Sequence, residues 1–225
     1  MKHFLTILFL VICLASCNSH SAHWDTLSQV ESYIEEKPDS ALVTLEQIDL
    51  SELSGKEEKA KYALLYSMAL DKNFIDKTDF EVLQPAIDYY EDKGSTTDKL
   101  RTYYYQGRIY QNMDNDALAM ESYVNAINNG ETSDDILTKA RLYVAQGNIY
   151  ASLLKWECSN EVNTQAAEYF FKMGRIDSYV NCLLKVCNGH IQNGDYDKAE
   201  KTILLCDESL DSEPGMSCGL WQYGK

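Results

Sequence analysis

Between residues 100 and 110 the apolar positions fall at Leu100, Tyr103, Tyr104, Gly107 and Tyr110, spaced by three and four. That spacing lays one apolar stripe along a helix and predicts a helix over this stretch. The polar run "NMDND" interrupts it, and a second helix is predicted beyond, with Met120, Tyr123, Val124 and Ile127 on its inward side. Two such helices joined by a short turn make a helix hairpin. The same periodicity runs upstream through "VESYIEEKPDSALVTLEQIDL", "KAKYALLYSMALDKNFID" and "FEVLQPAIDYYEDKG", which predicts two more helix pairs. With three prolines and eleven glycines among 225 residues, breakers are few, and the pattern predicts an all-α protein.

The stripe repeats. "YYYQGRIYQ" at residues 103–111 and "YVAQGNIYA" at residues 143–151 share Tyr, two residues, Gln-Gly, one residue and Ile-Tyr. Glycine inside a helix costs about 1 kcal/mol relative to alanine, so Gly107 and Gly147 call for a packing reason, namely the close approach of a neighbouring helix. Glycine to glycine the period is 147 − 107 = 40 residues, and the residues beyond a shorter repeat fit in "NNGETSDD". The second helix of the middle copy, around "VNTQAAEYFFKMG", reads as out of register behind a longer turn. Residues 183–206 supply a further copy, with Ala199 in an alanine slot, Cys187 in place of the glycine and His190 in place of the tyrosine.

Tyr103, Gly107, Tyr110, Ala119, Tyr123 and Ala126 occupy six slots of a hairpin that resembles the tetratricopeptide repeat, with Gln106 replacing its usual leucine. The resemblance implies an all-α, right-handed superhelical solenoid of TPR-like hairpins, about five helix pairs over residues 24–210. Residues 211–225, ending "GMSCGLWQYGK", are expected to form an irregular tail without a polar capping helix, as in a short or truncated family member.

The chain opens on a basic pair, Lys2 and His3, then an apolar run from Phe4 to Leu14 that is too short to span a bilayer and reads as an export signal. It ends in "LASC", which resembles the lipobox of bacterial lipoproteins. That resemblance implies a signal peptide over residues 1–16, lipidation of Cys17 and a tether over residues 17–23 that includes His20 and His23. Asn18 and the acid-free stretch after it imply an outer-membrane lipoprotein facing the periplasm. The segments together resemble a family of TPR lipoproteins of Bacteroidota, some longer members of which continue into membrane and DNA-binding regions.

A formal charge of −15 argues against nucleic-acid partners. No phosphate-binding glycine loop is present, because "SGK" at residues 54–56 has no upstream glycine and no following Ser or Thr. The histidines and cysteines lack metal-ligand spacing, so neither a metal nor another cofactor is expected. Cys187 and His190, three residues apart, could form a nucleophile and base, but the repeat template turns both inward, and no enzyme is expected. Cys182, Cys187 and Cys206 read as small hydrophobes in helices, and Cys158 and Cys218 leave an odd count without a disulfide framework.

Only four arginines occur, at 101, 108, 141 and 175, and three of them fall on first helices of repeats. In TPR folds those helices line a concave groove. On the template the groove comprises Arg101, Tyr104, Arg108, Gln111, Asn112, Arg141 and Asn148. Guanidinium forks there would take a carboxylate or acidic motif of a peptide. The bland counterpart is that the arginines pair with Asp98, Asp116, Glu121 or acids of adjacent helices. The expected function is a noncatalytic protein- or peptide-binding scaffold held to the membrane by its lipid. Glycan capture, or service as the N-terminal sensor part of a larger regulator, stand as alternatives.

Overall fold

A computed structural model describes residues 22–211. The expected signal, Cys17, most of the tether, Cys218 and the tail around Trp221 lie outside the described residues. Within them the protein is all α, with ten α-helices and one 3-10 turn. The chain divides after Asp92 into two compact units.

The first unit contains α1 (Ala22–Tyr33), α2 (Pro38–Glu46), the 3-10 turn Leu50–Glu52, α3 (Gly55–Lys72) and α4 (Gln84–Lys93). Leu27 and Val30 of α1 and Ile34 just beyond it, spaced by three and four, are buried, as are Ala41, Leu45, Leu64 and Met68. Lys61 and Lys72 of α3 reach Glu31 of α1 and Glu35 of the turn that follows it at 2.6 and 2.7 Å. His23, expected in the tether, instead lies on α1, with Nε2 2.9 Å from the Glu52 carboxylate. The same turn carries Trp24, over whose ring Lys61 Nζ lies at 4.9 Å.

The second unit is a stack of three hairpins: α5 (Thr96–Asn112) with α6 (Asp116–Asn129), α7 (Ile136–Ser152) with α8 (Trp156–Lys172), and α9 (Ile176–Gln192) with α10 (Tyr196–Asp211). Ser95 opens α5 with a capping box to Asp98. The forty-residue period of the glycines governs the whole unit. Leu100, Ala140 and Val180 are buried at one slot, Ala119, Ser159 and Ala199 at another, and Ala126, Ala166 and Cys206 at a third.

The turns keep the same beat. Asp114, Leu154 and Gly194 follow α5, α7 and α9 with φ of 56°, 57° and 77°. The next amides, of Asn115, Lys155 and Asp195, donate back to the carbonyls of Tyr110, Tyr150 and His190 at 2.9, 2.8 and 2.8 Å. This pairing closes a helix around a left-handed residue and satisfies carbonyls that the helix end leaves open. Gly174 makes the same turn between α8 and α9, and Phe74 makes it after α3.

Two expectations change. The second helix of the middle copy is in register, because Ser159 bonds the Gly147 carbonyl at 3.0 Å, twelve residues back, as Ala119 and Ala199 stand twelve beyond Gly107 and Cys187. A serine and Asn163 fill slots that hold alanine and tyrosine in the first copy, which hid the match. Val124 is 44% exposed rather than inward, since α6 buries the narrower stripe of Ala119, Ser122, Tyr123 and Ala126.

A candidate ligand face on the first helices

The two repeat glycines have the packing reason that their cost demands. A β-carbon on Gly107 would sit 2.7 Å from Cδ1 of Tyr123, and one on Gly147 would sit 2.9 Å from Cγ of Asn163. Each glycine therefore lets its own hairpin close on a large side chain of the second helix. That closure sets the outward face of α5, α7 and α9, where the expected groove residues fall.

Arg101 does not present a free fork. Its Nε donates to Asp135 Oδ2 at 2.5 Å, and both side chains are mostly buried. Asp135 caps α7 as well, accepting from the Thr138 amide at 3.0 Å and from its hydroxyl at 2.8 Å. Burial alone would raise the Asp135 carboxyl, yet the Arg101 charge and the Thr138 bonds outweigh it and hold the group below the usual 3.8. Arg101 thus ties α5 to the start of the next hairpin.

Tyr104 leaves the expected groove altogether. It is 5% exposed, edge-on to Tyr105 with centroids 4.9 Å apart and 6.0 Å from Tyr123, so it belongs to the core. A phenol packed between two other tyrosine rings buries too much ring area to stay on the surface.

Arg108 and Gln111 do meet. Arg108 Nη1 donates to Gln111 Oε1 at 3.4 Å, and the same oxygen accepts the Tyr123 hydroxyl. Gln111 is thereby fixed between core and face, and it helps to orient Arg108. Asn112 and Arg141 are half-buried, Arg141 forty residues beyond Arg101. Asn148 is exposed, forty beyond Arg108, and its Oδ1 accepts from Lys185 Nζ of α9 at 2.7 Å. The structure therefore brings together Arg108 with Gln111 and Asn148 with Lys185, and withdraws Arg101 and Tyr104.

Sequence reasoning missed Lys185 and Asp135. Lys185 was within reach of the period, since it stands two residues before the slot of Cys187 while Asn148 stands one after Gly147. Asp135 lies in a loop, where the period carries no information.

Cys187 and His190 do not form a nucleophilic pair. The Cys187 thiol is buried against the Ala199 carbonyl at 3.6 Å, and burial pushes it above its ordinary value, away from the reactive thiolate. His190 Nδ1 instead faces Asn160 Nδ2 at 3.3 Å. Among the described residues no group of three or more His, Cys, Asp or Glu is placed to hold a metal ion.

The hairpins, their left-handed turns and their period define the class: an all-α, TPR-like helical-repeat protein. A chain in the crystal structure of the apo form of RapI has this fold, with a TM-score of 0.65 at 16% identity over 84% of the present chain. The present chain spans 54% of that one, about half its length. No family model matches the sequence, and no curated protein does.

Proposed function

We propose that the protein is a noncatalytic scaffold that binds a protein or peptide segment on the outward face of α5, α7 and α9. The observation that carries this reading is the division of labour along the forty-residue period. The core slots of Leu100, Ala119 and Ala126 hold small or apolar residues in every copy, whereas the outward slot of Arg108 holds Asn148 and Asn188 in the next two, with exposed Asn181 and Lys185 beside the last. Amide and cationic groups on a preformed helical surface suit the carbonyls and carboxylates of an extended peptide, and a rigid surface spares ordering entropy on binding. In a chain of net charge −15, two cations on one face favour an acidic segment. Membrane attachment through lipid on Cys17, at the periplasmic face of an outer membrane, is part of the same proposal and rests on the "LASC" motif.

Affinity capture with the wild-type chain and an Arg108→Glu, Lys185→Glu variant tests the face, with circular dichroism confirming equal helix content. Loss of the captured partner by the folded variant supports the reading. Equal capture by both places the partner elsewhere. Incorporation of labelled palmitate by wild type and not by Cys17→Ser tests the anchor.

A further inference from the structure

In the first unit a cleft of about 320 Å³ opens between α3, the 3-10 turn and the start of α4. Its wall on α3 is Tyr62, Ala63 and Tyr66, one stripe of that helix, and Leu53, Val82 and Pro85 complete an apolar lining. A second compartment of about 290 Å³ continues it past Lys59, Glu81 and Pro85, which line both, toward Lys56 and Asp88. The volume lies at the lower end of the range that small ligands occupy, about 300–1,000 Å³.

Several polar groups open onto this cleft without a protein partner among the described residues. The rings of Tyr62 and Tyr66 lie 5.5 Å apart and tilted by 32°, but neither hydroxyl has a hydrogen-bond partner. Lys56, Lys59 and Glu81 form no ion pair there, although Lys59 and Glu81 line the same waist. Elsewhere in the unit the lysines facing acids are paired, as Lys61 and Lys72 are. An apolar trough with opposite charges on its two walls and two spare phenols matches one kind of occupant. A ligand of single charge would meet a complementary group on one wall only, and a purely apolar one on neither. Burial, then Tyr66 and Glu46, push the Tyr62 phenol up to about 12, so it remains a hydrogen-bond donor at any ordinary pH.

We propose that this cleft is a second binding site, independent of the face on α5, α7 and α9. It takes a short peptide segment through one large apolar side chain, flanked by an acidic residue at Lys59 and a basic residue at Glu81. The Tyr62 and Tyr66 hydroxyls bond the peptide backbone of that segment.

The test titrates the purified full chain with Ac-Asp-Phe-Lys-NH2 and follows the tyrosine ring resonances by NMR. Ac-Asp-Ser-Lys-NH2 and Ac-Ser-Phe-Ser-NH2 serve as controls. Binding with shifts at Tyr62 and Tyr66 is expected. Replacing phenylalanine by serine should weaken binding at least about tenfold, the scale of a buried aromatic side chain. Lys59→Glu and Glu81→Lys should each weaken it about three- to fivefold, as for an exposed ion pair. The double reversal should recover affinity, because the peptide can then lie in the opposite direction. The Arg108→Glu, Lys185→Glu variant should bind this peptide as wild type does. No binding at millimolar peptide, equal binding of the serine control, indifference to the charge reversals, or shifts confined to α5, α7 and α9 would each overturn the proposal.

Discussion

Gly107→Ala isolates the contact that lets the first hairpin of the second unit close. A methyl group there would lie 2.7 Å from Cδ1 and 2.9 Å from Cζ of Tyr123, well inside ordinary van der Waals contact. The ring has nowhere to go: Tyr123 is fully buried, leans on Tyr104 at 6.0 Å and gives its hydroxyl proton to Gln111. Relief requires an off-rotamer ring, at about 0.5–1.5 kcal/mol, and strain in the hydroxyl bond, about 1 kcal/mol. Overpacked cores lose about 1–3 kcal/mol in total, and the helix propensity of alanine returns about 1. The net loss is then about 0–2 kcal/mol, a fall in Tm of up to roughly 8 °C for a chain of this size. Thermal melts followed by far-UV circular dichroism read it directly. In a Tyr123→Leu background the obstruction is gone, so the same glycine replacement should be neutral or stabilising by up to about 1 kcal/mol. If Gly107→Ala alone raises Tm, or if the Tyr123→Leu background makes no difference, the close-approach argument is wrong.

Leu154 holds φ of 57° at a turn where its counterpart is Gly194, and it is 71% exposed, so Leu154→Gly relieves strain without opening the core. A gain of about 0.5–1 kcal/mol in urea unfolding is expected, and Gly194→Leu should lose a similar amount. The Asp135 carboxyl is held below 3.8 in the folded chain, so its contribution is complete above that value and lost as pH falls through the lower folded one. Acid titration of stability should therefore be shallower at that end in Asp135→Asn, while Arg101→Ala costs about 1.5–3 kcal/mol at neutral pH. Burial pushes the Cys182 and Cys206 thiols up to about 11, whereas Cys158 is exposed. With Cys13, Cys17 and Cys218 replaced by serine, a thiol reagent at pH 8 should label one cysteine quickly and the other three only on unfolding.

The architecture was legible where two independent signals coincided. Gly107 and Gly147 carry an intrinsic helix cost and stand forty residues apart, and both properties trace to one cause, a large side chain pressed against them from the second helix. The period then locates slots that single residues hide, which is how Ser159 and Asn163 belong to the alanine and tyrosine positions despite their polarity. The candidate face was less legible, because helical spacing says which side a residue takes but not whether that side is spoken for. Arg101 and Arg108 share a side, yet Asp135, a loop acid that caps the next hairpin, claims Arg101 and leaves Arg108 to Gln111. Tyr104 failed for a different reason. Its position on the template faces outward, but Gly107 admits the Tyr123 ring, and Tyr104 packs against that ring and against Tyr105 in the core. Solvent-facing slots of a repeat are thus read safely only after the small residue beside them has been matched to what it admits.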